Sequence, residues 1–277
     1  MRLITSFILF LFLSGCAVTK LPDNFSRAMM NQEEPAVIEA GAPSYLLLLD
    51  ALILTYPNDD KLLLAGSRLY GAYAGSFASN EQEAKSFANK SMEYAQRALC
   101  RVKKKSCYMT DASQEELEHE LANNFKSKDI DLVYGLSSAW LGWIQANSDD
   151  WNAIAQLGKV KHSMQWVAEQ DAAYDNGMVQ VYLGALETLL PPSLGGKPEI
   201  GKQHFETAIE VSNGKNLMAY VIYAEKYARL IFEQDLHDQL LQTALDSDYK
   251  YEGLTLINRL AQQQAEILLD ESSDYFE

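Results

Sequence analysis

The sequence predicts an all-α fold in which antiparallel helical hairpins stack into an α-solenoid. Apolar residues recur at the three- and four-residue spacing of a helix through most of the chain. Sustained alternation of β-branched residues is absent from the sequence, and no Asn-Gly turn joins two such runs, so strands are not expected. Breaks rich in Pro and Gly separate the helical stretches, the clearest of them within residues 182–212.

The first residues have the organisation of a bacterial export signal. Arg2 is a short positive region, and an apolar run from Leu3 to Leu13 follows it. This run is too short to cross a bilayer as a helix, which takes about 20 residues. It ends in Leu13-Ser14-Gly15-Cys16, which resembles the lipobox of bacterial lipoproteins. Residues 1–15 are therefore predicted to be a signal peptide and Cys16 the lipidation site, with a plain signal peptide and a chance cysteine as the alternative.

Acylation of Cys16 would tie the chain to a lipid membrane, because each buried methylene contributes about 0.8 kcal/mol. Ala17, rather than Asp, follows this cysteine. Under the usual Gram-negative sorting rule this predicts retention in the outer membrane. The expected location is periplasmic and lipid-anchored, at the outer membrane.

Composition and charge set the limits on the mature chain. The formal net charge of −15 argues against a nucleic-acid partner, which requires a basic surface. Residues 16–42 are predicted to be the lipid anchor and a tether, since they are polar and contain Pro and Gly. Residues 43–270 are predicted to be the helical domain, and residues 271–277 an acidic tail.

Helices are expected wherever apolar positions keep the helical period. A Ser113–Glu116 capping box marks one of the starts. The predicted segments are Pro43–Tyr56, Lys61–Phe77, Glu81–Leu99, Ser113–Phe125, Ile130–Gln145, Trp151–Gln170, Gly177–Leu190, Pro198–Val211, Leu217–Phe232, Asp235–Leu245 and Tyr251–Asp270.

The hairpins resemble degenerate tetratricopeptide (TPR) repeats. Tyr45, Leu49, Leu52 and Pro57 have the spacing of the packing residues in a second TPR helix, and Leu183-Gly184 occupies the Leu-Gly position of a first helix. The step between hairpins is longer and less regular than the roughly 34 residues of a standard repeat, which insertions at the turns would explain. The domain is therefore interpreted as TPR-like.

The central turn contains the most specific pattern in the chain. Pro191 and Pro192 end one helix, and Gly195 and Gly196 permit positive φ in the turn that follows. Phe205 in the next helix lies on its apolar face. These residues predict a helix–turn–helix unit with an enlarged turn.

Two cysteines remain once Cys16 is assigned to lipidation. Cys100 and Cys107 lie close together near a predicted helix end, and export would place them in an oxidising compartment. The even count and the spacing favour a disulfide over two free buried thiols. Two cysteines alone do not complete a zinc shell, so no metal site is predicted.

No catalytic signature is complete. Gly196–Lys202 resembles a phosphate-binding loop, but Gln203 replaces the Ser or Thr that would ligate Mg²⁺. The four histidines are scattered over separate helices, and no Ser nucleophile motif is present. The chain is predicted to have no catalytic residues and no cofactor.

The aromatic residues of the central and C-terminal helices offer two interpretations. Most are expected to pack between hairpins, but solenoids also leave concave faces that Tyr and Trp can line. The hypothesis is that Trp140, Trp143, Tyr182 and Tyr223 line part of an apolar cavity that binds a hydrophobic small molecule.

Several of these segments together resemble one known family. The lipobox, Tyr45–Pro57, the run LVYGLSSAWLGWI at 132–144, the block YLGALETLLPPSLGGKPEIGKQHFETAIE at 182–210 and YAEKYAR at 223–229 are similar to the TRAP-transporter-associated TPR lipoproteins, the T component or TatT. The resemblance covers nearly the whole mature chain. It implies a periplasmic lipoprotein that partners the solute-binding protein of a tripartite ATP-independent periplasmic transporter, forms a homo-trimer and holds a hydrophobic ligand.

The predicted function is therefore a non-enzymatic accessory lipoprotein of a TRAP-type transport system. The alternative is a TPR scaffold for protein–protein contacts in the cell envelope, without a ligand. A hydrolase is the least favoured interpretation, because no nucleophile–base pair is evident.

Overall fold

A computed structural model describes residues 21–277, and within this range it contains helices and turns but no β-strand. The prediction of an all-α fold is confirmed. The α-helices are α1 (Leu21–Met30), α2 (Pro35–Thr55), α3 (Asp60–Ser76), α4 (Glu81–Val102), α5 (Gln114–Asn124), α6 (Ile130–Ala146), α7 (Trp151–Ile154), α8 (Leu157–Gln170), α9 (Met178–Glu187), α10 (Pro198–Val211), α11 (Leu217–Tyr223), α12 (Gln234–Asp246), α13 (Thr255–Asp270) and α14 (Ser272–Phe276). Residues 1–15 and Cys16, to which the signal peptide and the lipidation site were assigned, lie outside the described residues.

Helix α2 begins earlier than the sequence predicts. It starts at Pro35, so Pro43 lies inside the helix instead of opening it. A proline inside a helix lowers the stability of the helix by about 3 kcal/mol. The burial of Ile38 and Ala42, upstream of Pro43, offsets this loss of stability. Residues 35–42, which the composition assigned to the tether, therefore belong to the folded domain.

Three other segments differ from the predicted helices. The segment Trp151–Gln170 is divided into α7 and α8, and α11 passes into a π-helical turn at Ala224–Ala228. The acidic tail forms α14. The ring centroid of Phe276 in this helix lies 5.2 Å from that of Phe232 and 5.2 Å from that of His237. The apolar tail residues are thus packed against the domain.

The central hairpin is held together by close helix contact. A Cβ atom added at Gly184 of α9 would lie 2.6 Å from the ring of Phe205 in α10, and one at Gly201 would lie 2.6 Å from Thr188. Phe205 is fully buried, so its ring has no space to retreat into. The glycine of the Leu-Gly pair therefore allows α9 and α10 to approach each other closely.

The turn between α9 and α10 contains two prolines and two glycines, and the two glycines differ in backbone conformation. Pro191 and Pro192 follow the end of α9, and Gly195 adopts a φ of 92°. Gly196 does not adopt a left-handed φ; instead, a Cβ there would lie 1.6 Å from the carbonyl oxygen of Leu190. Gly196 is therefore required by close backbone approach.

Two hydrophobic cores share helix α9. Val179 and Leu183 pack into the first, which also contains Trp140 of α6. Val181 packs into the second, together with Phe205. Helix α9 thus joins the N-terminal helices to the C-terminal ones.

The two ends of the described chain contact each other. The Asn31 side chain accepts a hydrogen bond from the backbone N–H of Gly253 at 2.8 Å, and Glu33 pairs with Lys250 at 2.9 Å. Arg27 also pairs with Glu252 at 2.5 Å. An open solenoid makes contacts only between neighbouring repeats, so this closure is not expected from a simple array. The TPR-like description accordingly stays an interpretation.

Candidate functional site

A pocket lies between helices α4 and α6 and has a volume of about 290 Å³. Helix α4 contributes four side chains from one face, and α6 contributes two indoles one turn apart. The loop after Cys107 and the break between α7 and α8 close the other sides. We call this the α4–α6 pocket; its lining residues are Asn89, Met92, Glu93, Gln96, Thr110, Asp111, Trp140, Trp143 and Gln156.

The two indole N–H groups are already hydrogen-bonded. Trp140 is fully buried and donates to the Gln156 side-chain oxygen at 2.7 Å. Trp143 is partly exposed and donates to the Asn89 side-chain oxygen at 2.8 Å. Trp143 therefore offers accessible ring surface to the pocket, whereas the ring of Trp140 is covered by packing.

The wall made by Thr110 and Asp111 is fixed from two sides. The structure joins Cys100 and Cys107 by a disulfide that closes the loop leading to this wall. From the other side, the Lys159 ammonium donates to the carbonyl oxygens of Thr110 and Ala112 at 2.9 and 3.1 Å. Burial lowers the pKa of Lys159 below its ordinary value. The disulfide thus has a structural role at the pocket's edge.

Tyr182 and Tyr223 do not line this pocket. Tyr182 lies 6.2 Å from the ring centroid of Tyr134, and burial raises the pKa of Tyr182 to about 12. Tyr223 stacks on Phe205 at 5.3 Å, inside the second core. Trp140 and Trp143 are therefore brought together, whereas the two tyrosines lie in helix packing. The pocket is also more polar than the apolar cavity that the sequence predicts.

A carboxylate network between α2, α3 and α4 was not predicted from the sequence. Asp50 accepts hydrogen bonds from Tyr70 at 2.8 Å and Tyr94 at 2.6 Å, and also pairs with Lys90. Burial alone would raise the pKa of Asp50, but the hydrogen bonds from Lys90, Tyr94 and Tyr70 outweigh it and hold the pKa below its ordinary value. One feature of the sequence could have indicated this network: Asp50 is the only charged residue between Pro43 and Tyr56.

Helix α2 presents a wide apolar face to solvent. Leu47 and Leu54 are 71% and 82% exposed, and Val37 and Leu48 lie on the same side. Ala40, Ser44 and Ala51 are also exposed on this side, and none of the seven side chains is charged, although the exposed residues of α2 also include Glu39 and Pro43. We call these seven residues the α2 face.

By length and hydropathy α2 is the one helix in the described part of the chain that could cross a membrane. Its opposite side, however, is buried through Leu46 and Ile53 against the domain. About 22% of its apolar window is buried, and the contacts of that side are with α3 and α13.

Metal binding finds no support in the described range. Within residues 21–277, no group of three His, Cys, Asp or Glu side chains is arranged to hold a metal ion. The segment Gly196–Lys202, which resembles a phosphate-binding loop, forms the turn and first residues of α10.

These features define an all-α helical-hairpin protein with a polar and aromatic pocket and an uncharged apolar face. The family model described as the TRAP transporter T-component, TAtT, matches residues 31–276, and the chain belongs to this family. No curated protein matches the sequence. Membership makes the chain an accessory T component of TRAP transporters and suggests a periplasmic location.

Proposed function

We propose that this chain is a non-enzymatic, lipid-anchored accessory protein that docks the periplasmic solute-binding protein of a TRAP transporter. It holds a small organic ligand in the α4–α6 pocket. The observation that carries the proposal is the family match over residues 31–276, because a T component acts alongside the other components of its transporter.

The α2 face is proposed as the docking surface for the solute-binding protein. Contiguous exposed apolar surface is uncommon on monomeric soluble proteins and is typical of interaction sites. The α2 face carries no charge, so a partner could cover it without desolvating an ionised group. Leu54 also borders a depression of about 200 Å³, whose lining includes Ile53 and Pro57 but also the charged side chains of Asp50, Lys90 and Arg97.

The anchoring and the assembly state are further parts of the proposal. Acylated Cys16 would hold the chain on the periplasmic side of the outer membrane, with the residues between Cys16 and α2 as the link to the domain. A homo-trimer is proposed from the family resemblance. Sedimentation of the soluble protein measures the assembly state directly.

Capture of the partner tests the proposed function. The soluble mature chain, with Cys16 replaced by Ala, is cross-linked in periplasmic extract of its host and purified, and the captured proteins are identified by mass spectrometry. We expect a TRAP solute-binding protein to be enriched, and enrichment to be lost in Leu54→Glu. Capture of no solute-binding protein would overturn the proposal.

A ligand-free scaffold is the second candidate. The packing of Tyr182 and Tyr223 inside the helical cores favours it, since neither ring lines the cavity that the sequence predicts. Partner capture without any small molecule in the purified complex would support the scaffold.

A further inference from the structure

Four exposed lysines lie together at one end of the domain, in a chain whose formal net charge is −15. Lys104 and Lys105 follow the end of α4, and Lys126 and Lys128 lie in the short link between α5 and α6. None of the four makes an ion pair among residues 21–277. We call these four residues the lysine patch.

One ion pair joins the two segments of the lysine patch. The Lys103 ammonium pairs with Asp129 at 2.6 Å and donates to the Asn124 carbonyl oxygen at 2.8 Å. Because Lys103 directly precedes the first two lysines and Asp129 directly follows the last one, this contact brings the two segments side by side. The disulfide between Cys100 and Cys107 also closes the loop that contains the first two. The positions of the four cations are therefore fixed by the fold.

The carboxylates closest in the chain to the lysine patch are buried or paired. Asp129 and Glu120 are each 6% exposed. Asp129 is engaged in the ion pair described above, and Glu120 accepts a hydrogen bond from the Asn124 amide at 2.9 Å. Asp131 is exposed and pairs with Arg68 at 3.9 Å. These groups do not neutralise the four lysines.

The neighbouring segments contain further exposed carboxylates, those of Asp59, Asp60, Asp111, Glu115 and Glu116. The first two lie beside Arg101, whose guanidinium donates to the Asn58 carbonyl oxygen at 3.1 Å. The last two are in the first turn of α5, about 12 Å along the helix from its end at Asn124. That distance exceeds the screening length of about 10 Å in 0.1 M salt. The end of the domain that carries the lysine patch is therefore locally positive.

Two exposed apolar side chains accompany the lysines. Val102 is 44% exposed and Tyr108 is 46% exposed, and both lie within three residues of Lys105. Protein interfaces are depleted in Lys and enriched in Arg, which binds carboxylates with two parallel hydrogen bonds. Lysines next to apolar and aromatic side chains are instead typical of surfaces that rest on lipid headgroups. The composition therefore favours a lipid surface over an acidic protein.

We propose that the lysine patch docks on anionic lipid headgroups, with Val102 and Tyr108 at the same level. This inference rests on the lipid anchoring in the proposed function, which holds the chain beside a bilayer. Each lysine near an anionic surface raises partitioning about fivefold. The negative charge on the rest of the molecule is screened beyond about 10 Å in 0.1 M salt, so this local attraction outweighs it. Docking turns the adjoining ends of α4 and α6 toward the membrane.

Co-sedimentation with lipid vesicles measures this docking. The soluble mature chain, with Cys16 replaced by Ala, is mixed with vesicles of phosphatidylcholine alone or of an equal mixture with phosphatidylglycerol. We expect the partition coefficient to be at least thirtyfold higher on the mixed vesicles and to fall as salt is added.

Variants place the binding in the lysine patch. Lys104→Gln/Lys105→Gln is expected to lower the partition coefficient on mixed vesicles about twentyfold, because two attractions are lost. Lys104→Arg/Lys105→Arg keeps the charge and should retain the binding. The matched control is Lys202→Gln/Lys226→Gln, which removes the same charge from α10 and the π-helical turn and should leave partitioning unchanged. Circular dichroism of each variant confirms that it is folded.

Three results would overturn the inference. They are equal partitioning onto both kinds of vesicle, an equal loss in the patch variant and in the control, and binding to poly-L-glutamate without binding to the mixed vesicles. The last result would assign the lysine patch to an acidic protein partner. Labelling of the full chain with palmitate in its host tests the anchor at Cys16 separately, and partner capture uses no vesicles. Failure of headgroup docking is therefore distinguishable from failure of the proposed function.

Discussion

Two glycines determine how closely helices α9 and α10 approach each other. Gly184 lies against the ring of Phe205. A Cβ atom added at Gly201 would lie 2.9 Å from the carbonyl oxygen of Gly184. Because Phe205 is fully buried, an added methyl group has to displace packed atoms. The small residues in this hairpin are thus selected by packing.

Gly184→Ala is expected to lower the free energy of unfolding by about 1–3 kcal/mol through overpacking. Gly142→Ala in α6 is the matched control, since a Cβ there meets nothing within 4 Å. Alanine at that helical position should raise stability by about 0.5–1 kcal/mol. Urea denaturation measures both, and a Gly184→Ala protein as stable as the control would contradict the packing account.

Asp50 predicts a pH dependence of stability. Its pKa in the folded state lies below the ordinary value, so its ionised form stabilises the fold above the unfolded-state pKa. That contribution is lost as pH falls through the folded-state pKa, which places the loss below about pH 4. The urea midpoint should fall over this range in the wild type and fall less in Asp50→Asn. Glu266→Gln, at an exposed position, should keep the wild-type pH dependence.

The loop closed by the disulfide is the element that shapes one wall of the pocket. Cys100 lies at the end of α4, and the loop from Cys107 leads to Met109, which is 1% exposed, and then to Thr110. Opening the disulfide would release chain entropy in the unfolded state and loosen the wall.

Replacing Cys100 and Cys107 by Ser is expected to lower the free energy of unfolding by about 2 kcal/mol. Wild-type protein treated with reducing agent should fall to the same value, whereas the double variant should not respond to the reagent. Thermal denaturation with and without reductant measures this. A wild type that is insensitive to reduction would show that the bond does not stabilise the domain.

The helix boundaries show what periodicity can and cannot predict. The capping box at Ser113 is confirmed, with the Glu116 side chain accepting from the Ser113 N–H at 2.8 Å. Local hydrogen bonding of this kind depends on residues three positions apart, which the sequence displays. The start of α2 was wrong because Ile38 and Ala42 are held by tertiary burial, and that outweighs the local preference of Pro43.

Sites that depend on several helices were harder to predict than helices. Trp140 and Trp143 border the same pocket because they lie one turn apart on one helix. The polar wall of their pocket was not predicted, because Thr110 and Asp111 come from a loop whose position depends on the disulfide and on Lys159. Tyr182 and Tyr223 were misplaced for the same reason: the pattern shows an aromatic residue but not the helix that covers it.

The molecule as a whole is closed by contacts between its two ends. Asn31 and Glu33, which precede α2, bind the loop before α13 and the side chain of Arg259 in that helix. Leu256 of α13 also packs into the first core. Helix α13 therefore depends on residues near the N-terminus of the domain.

Removing residues up to Glu34 should loosen α13 without unfolding the α3–α4 hairpin. Amide hydrogen exchange followed by mass spectrometry should show faster exchange in Thr255–Asp270 and unchanged exchange in Glu81–Val102. Glu33→Gln in the full mature chain, which keeps the backbone contacts, should have a smaller effect. Unchanged exchange in α13 after truncation would show that the closure adds no stability.

Docking of a solute-binding protein on the α2 face is the central claim, and the affinity of the purified pair tests it most directly. Biolayer interferometry with the solute-binding protein of the same TRAP system compares the mature chain with Leu47→Glu/Leu54→Glu and with Gly142→Ala. We expect the double variant to lose at least tenfold in affinity while remaining folded, and the control to bind as the wild type does. Full affinity in the double variant, or a change only in its own assembly state by sedimentation, would contradict the claim.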